Sequence, residues 1–105
     1  MKTYNMNLSL KEIDGIRNNK VLFKKWVDMG RNVVVAVTKD KLTKEHVKNV
    51  RMNLSQLTKT RVDDFYCLDL PESILDGVLK MTRFTCEEGG VRFVLNRVGG
   101  KDGQN

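Results

Sequence analysis

The sequence predicts an α+β or α/β fold. Specifically, it predicts a single-domain two-layer sandwich with a mixed sheet of about five strands, three to four helices and a C-terminal β-hairpin. Three observations lead there. Tyr4, Met6, Leu8 and Leu10 alternate with Thr3, Asn5, Asn7 and Ser9, the period of a half-buried strand. Val33-Val34-Val35-Ala36-Val37 is a continuous, mostly β-branched run, which reads as a central strand buried on both faces. Glu87-Glu88-Gly89-Gly90 separates two apolar stretches at 80–86 and 91–98, and glycine supplies the positive φ of a hairpin turn.

The elements follow in order. Ser9 with Glu12 three residues on reads as a capping box. It opens a short helix with Leu10, Ile13 and Ile16 on one face, interrupted by Asn18-Asn19. Residues 20–29 place Leu22, Phe23, Trp26, Val27 and Met29 in one helical arc, with Gly30 as its stop. After the central strand, Thr43 is an N-cap, with Leu42 and Val47 at the positions of a hydrophobic staple. Val47, Val50, Leu54 and Leu57 repeat on one face of that helix. A strand follows around Phe65-Tyr66-Cys67-Leu68. Then Asp69-Leu70-Pro71-Glu72 starts a short helix holding Ile74, Leu75 and Val78. No internal repeat is evident. The domain is expected over residues 1–98, with a flexible glycine-rich, polar tail at 99–105.

The chain has 105 residues, 40% of them hydrophobic and 30% charged, an ordinary composition for one small domain. No apolar run is long enough to span a membrane, and the N-terminus lacks the pattern of a secretory signal. Two cysteines, Cys67 and Cys86, are too few to staple a secreted fold. The expectation is a reducing, cytoplasmic setting. Charge is lopsided. Residues 1–61 hold 14 Lys or Arg against 5 Asp or Glu, and residues 62–105 hold 5 against 8. A basic half attracts polyanions at long range.

Enzymatic readings fail on inventory, so no catalytic, metal or cofactor role is assigned. The single histidine, His46, sits in the first turn of a helix, where a surface role is the plain reading. Both cysteines lie inside apolar strand patterns, where thiols stay protonated. Paired Cys or His spacings for zinc, and glycine-rich phosphate loops, do not occur. Asp63, Asp64, Asp69 and Glu72 cluster in sequence. Yet Asp63 and Asp64 are neighbours on a strand and point to opposite faces, while Asp69 and Glu72 serve a helix start.

Binding surfaces survive better. Lys41, Lys44, Lys48 and Arg51 fall within roughly 80° of one another on a helical wheel, beside the buried face. Lys24 and Lys25 add charge from the preceding element. On the final hairpin, Phe84, Cys86, Val91, Phe93 and Leu95 face the core. Arg83, Thr85, Arg92, Val94 and Asn96 face outward, with Arg83 and Arg92 as diagonal neighbours able to grip one phosphate. The leading expectation is a small basic, non-enzymatic protein that contacts DNA or RNA mainly through phosphates. The alternative is a regulator or inhibitor docking on an acidic protein surface or forming a homodimer. It would act through Val94, Asn96 and Val98 of the last strand. A short, lysine- and asparagine-rich chain of this kind suits an accessory protein of a phage or mobile element.

Overall fold

A computed structural model describes residues 2–59 and 61–98, apart from the side chains of Leu57 and Thr58. Its elements are β1 (Lys2–Ser9), α1 (Leu10–Arg17), β2 (Leu22–Asp28), β3 (Arg31–Thr38), α2 (Lys44–Thr58), β4 (Asp64–Asp69), α3 (Glu72–Lys80), β5 (Arg83–Glu88) and β6 (Val91–Val98). The expected tail at 99–105 lies outside the described residues.

Six strands form two three-stranded mixed sheets, ordered β1-β6-β5 and β2-β3-β4, in place of the single five-stranded sheet expected. The extra strand is β2, which the helical-wheel reading takes for a helix. Its exposure alternates residue by residue, with Leu22, Lys24 and Trp26 paired to the buried Val37, Val35 and Val33. Apolar side chains on both faces of a strand imitate a helical arc. Gly30 is therefore not a helix stop. Met29 and Gly30, with φ of 52° and 77°, form a two-residue hairpin turn, and the left-handed region at both central positions is what such a turn requires.

The chain runs twice through the same unit. Strand–helix–hairpin, β1-α1-β2-β3, is followed after α2 by strand–helix–hairpin, β4-α3-β5-β6. Each unit completes the other. The first strand of each pairs in parallel with the last strand of its counterpart, β1 with β6 and β4 with β3. The sequence carries the repeat as well. Tyr4-x-Met6-x-Leu8, followed by Ile13-Asp14-Gly15-Ile16, recurs at the same spacing as Tyr66-x-Leu68-x-Leu70 and Leu75-Asp76-Gly77-Val78. Four of these positions are identical in type; the rest are conservative apolar exchanges, which an eye seeking long identities passes over. The reading that no repeat exists is thus corrected.

The inward rows of the two sheets, with Ile13, Ile16, Leu75 and Val78 from the helices, make one core. Phe93 has no exposed surface and is flanked by both repeat tyrosines, Tyr4 stacked at 6.0 Å and Tyr66 edge-on at 5.8 Å. α1 and α3 each carry the chain from one sheet to the other. They meet at Arg17, which pairs with Glu72 and Asp76 at 3.2 and 3.1 Å. Ser9 caps α1 in the expected box: its hydroxyl accepts from Glu12 N–H, and the Glu12 carboxylate accepts from Ser9 N–H. In α3, Gly77 leaves room for Phe84, whose ring would lie 3.2 Å from a Cβ at that position.

α2 stands outside the repeat. It joins the parallel neighbours β3 and β4 and lies over the outer face of their sheet, presenting half-buried Val47, Val50 and Leu54. Thr43 caps it, accepting from His46 N–H at 3.2 Å. No described helix is long and apolar enough to cross a membrane.

Candidate functional site

The cations predicted to form one basic surface separate into three groups. Lys24 occupies the inward row of β2 and donates to Glu12 at 2.8 Å, so it does not join the surface. In a helix Lys24 and Lys25 would lie on adjoining faces; in a strand they point oppositely. Arg83 and Arg92 are on the outer face of the β1-β6-β5 sheet, but not as diagonal neighbours. The hairpin turn is only Gly89-Gly90, so Arg92 opposes Glu87 and Arg83 opposes Asn96. The register differs by two residues from that expected, which keeps every side chain on its predicted face. It leaves the two arginines roughly 14 Å apart along the strands, too far for one phosphate. Arg92 also pairs with Glu87 at 3.5 Å.

The third group is coherent. Lys44, Lys48 and Arg51 are exposed along α2, and Lys41 is exposed just before its cap. Arg51 also donates to the Val62 carbonyl at 3.2 Å, tying α2 to the chain that follows it. Lys25, on the outer face of β2, shares with Leu54 and Arg61 a hollow of about 190 Å³. Ion pairs elsewhere take up five of the 14 cations of the basic half. They engage Lys2 with Asp28, Arg17 with Glu72 and Asp76, Lys24 with Glu12, Arg31 with Asp64 and Arg61 with Asp63. None of the ion pairs among the described residues includes Lys41, Lys44 or Lys48.

These pairs also account for most of the acidic cluster. Asp64 receives two hydrogen bonds from Arg31, at 3.0 and 2.9 Å, and these hold its carboxyl below the usual range. Asp63 accepts from Asn32 N–H and from Arg61, with the same effect. Glu72 faces Arg17. No three His, Cys, Asp or Glu side chains among the described residues gather as a metal site would need.

The surface proposed for strand pairing needs correction. β6 lies between β1 and β5, so both of its edges are taken. Val94 is only 4% exposed, Asn96 is half-buried and Val98 is 40% exposed. The most exposed apolar side chains among the described residues are instead at the end of β2 and its turn, Val27 at 76% and Met29 at 91%. β2 ends its sheet, with Lys2 and Tyr4 of β1 reaching its Asp28.

Beneath the N-terminal half of α2 lies a cleft of about 510 Å³. Its lining includes Lys41, Leu42, Lys44 and Val47 from the α2 side, Phe65, Tyr66, Cys67 and Asp69 from β4, and Glu88 and Gly89 from the last hairpin. Burial, then Glu88, raises the Cys67 thiol. Burial, then Asp69 and Glu88, pushes the neighbouring Cys86 up to about 11. Both thiols are therefore protonated at neutral pH, and neither is an activated nucleophile. Sequence reasoning missed this cleft because Glu88 reaches it across the junction of β4 and β5. Alternation along β4 does set Phe65, Cys67 and Asp69 on one face, a signal that was there to be read.

The chain matches no family model, no curated protein and no solved structure.

Proposed function

We propose that this protein is a non-enzymatic binding module that contacts nucleic acid through its phosphates along α2. One observation carries the reading. Lys41, Lys44 and Lys48 form an exposed stripe outside every ion pair among the described residues, and Arg51 extends it. An unneutralised row of cations on one helix flank can follow a phosphate backbone and gains affinity by releasing its counterions. Lys25 adds charge on the same side, while Lys24, Arg83 and Arg92 fall outside the contact. Aromatic side chains do not stand on the stripe, so discrimination between sequences is weak. The setting proposed is cytoplasmic and accessory or regulatory.

The test is fluorescence anisotropy with labelled single- and double-stranded oligonucleotides of DNA and RNA, across a salt series. Four phosphate contacts predict a log–log salt slope of about −3.6 on duplex DNA and about −2.8 on single strands. Lys48→Glu should weaken binding for every sequence and flatten the slope by about one. Arg83→Glu should change little. Binding that ignores salt, or that survives Lys44→Glu with Lys48→Glu, overturns the reading.

A second reading, docking on a protein or on a second copy, rests on the exposed Val27 and Met29 at the end of β2 rather than on β6. It predicts self-association in sedimentation velocity that Val27→Lys abolishes. A monomer at all concentrations, unchanged by Val27→Lys, counts against the homodimer form.

A further inference from the structure

We propose that the cleft beneath α2 is a mononucleotide subsite: a phosphate at Lys41 and Lys44, a base against Phe65, and base or sugar donors at Asp69 and Glu88. The inference rests on the phosphate-binding reading and deepens it, since a nucleotide of a bound strand would enter here.

Three features of the cleft support it. Its volume of about 510 Å³ lies in the range of small-molecule pockets. Its charges are divided, with lysines on the α2 wall and carboxylates on the strand side. No ion pair among the described residues joins these lysines to Asp69 or Glu88. Charges that face one cavity without pairing suit a ligand anionic at one end and rich in hydrogen-bond donors at the other. A nucleotide has both, and its base has a flat face for the Phe65 ring, a contact that tolerates any base. A simple anion would leave the carboxylates unused and repelled; a simple cation would do the same to the lysines.

The test is a titration of the full chain followed by amide chemical shifts. The probes are adenosine 5′-monophosphate, adenosine and ribose 5-phosphate at fixed ionic strength. The monophosphate should give saturable shifts at Cys67 and Gly89 in the millimolar range or tighter. Adenosine and ribose 5-phosphate should each bind about tenfold more weakly, having lost one end of the recognition. Glu88→Gln, in a side chain exposed at the turn, should weaken the monophosphate about fivefold, while Arg83→Glu, on the outer face of the other sheet, should not.

Absent or displaced shifts, or equal affinity for the monophosphate and ribose 5-phosphate, overturn the proposal. The two readings fail separately. Oligonucleotide binding that depends on Lys48 but leaves Cys67 and Gly89 unmoved removes only the subsite. Monophosphate binding in the cleft without oligonucleotide binding along α2 removes only the surface reading.

Discussion

The outer faces of the two sheets differ where their inner faces agree. In the first repeat, β1 turns out Thr3, Asn5 and Asn7, next to Arg92, Val94 and Asn96 of β6. The corresponding strand of the second repeat, β4, turns out Phe65, Cys67 and Asp69, next to Val34, Ala36 and Thr38 of β3. Inward, the rows match: Tyr4, Met6 and Leu8 against Tyr66, Leu68 and Leu70. The unit thus needs its inward row to fold and leaves its outward row free to specialise. α2 marks the difference. It spans β3 and β4, covers an apolar face and creates a cleft. The β1-β6-β5 sheet has no described helix over its outer face, which is mostly polar apart from Val94 and Val98.

The largest expected effect tests that division directly. Phe93→Ala empties the point where both tyrosines meet and should cost about 3–5 kcal/mol of stability in urea unfolding. Asn5→Ala on the polar face should stay within about 0.5 kcal/mol. Comparable losses at the two positions would break the claim that only inward rows hold the fold.

The hairpin turns give the next effect. The second turn is Gly89-Gly90, with both φ values positive. The first places Met29 at φ 52°, where the second has glycine. A side chain there is strained by about 1 kcal/mol. Met29→Asn, a residue such turns favour, should therefore raise the thermal midpoint by several degrees. An unchanged or lower midpoint would mean that Met29 is held by contacts the turn geometry does not reveal.

The smallest effect concerns the junction of β1 and β2. There Tyr4 donates to Asp28 at 2.9 Å and Lys2 pairs with Asp28 at 3.0 Å, beside a Tyr4–Trp26 ring contact at 5.1 Å. Hydrogen bonds from Lys2, then Tyr4, hold the Asp28 carboxyl below its ordinary value of 3.8. A depressed carboxylate stabilises the fold above that value, and the contribution is lost as pH falls through the lowered one. Asp28→Asn should then lose less stability than the parent below pH 3.8 in acid-unfolding curves. Parallel curves would remove Asp28 from the junction's stability.

Much of the fold was legible in local chemistry. Ser9 and Thr43 announced their helices, Val33 to Val37 announced a buried strand, and Gly89-Gly90 announced the last hairpin with the correct faces. β2 was not legible as a strand, because Phe23 and Val27 outward and Leu22 and Trp26 inward satisfy a helical arc equally well. Only Met29-Gly30 before the valine run distinguishes the two, through the turn it makes. The partition of the cations was likewise hidden. Ion pairs such as Arg31–Asp64 and Arg17–Glu72 join residues far apart in the chain, and no periodicity reveals them. The α2 stripe was visible because a helix keeps its own neighbours.

The pairing of β1 with β6 has a consequence for how the protein comes into being. β1 finds its partner only when β6 has emerged, so Tyr4, Met6 and Leu8 must wait with their oily side chains uncovered. Topologies dominated by such distant closures assemble slowly and expose themselves to aggregation meanwhile. Shortening the wait, by a permuted gene that starts at β4 and supplies a crossover from β6 to β1, would make β1's partner the strand made just before it.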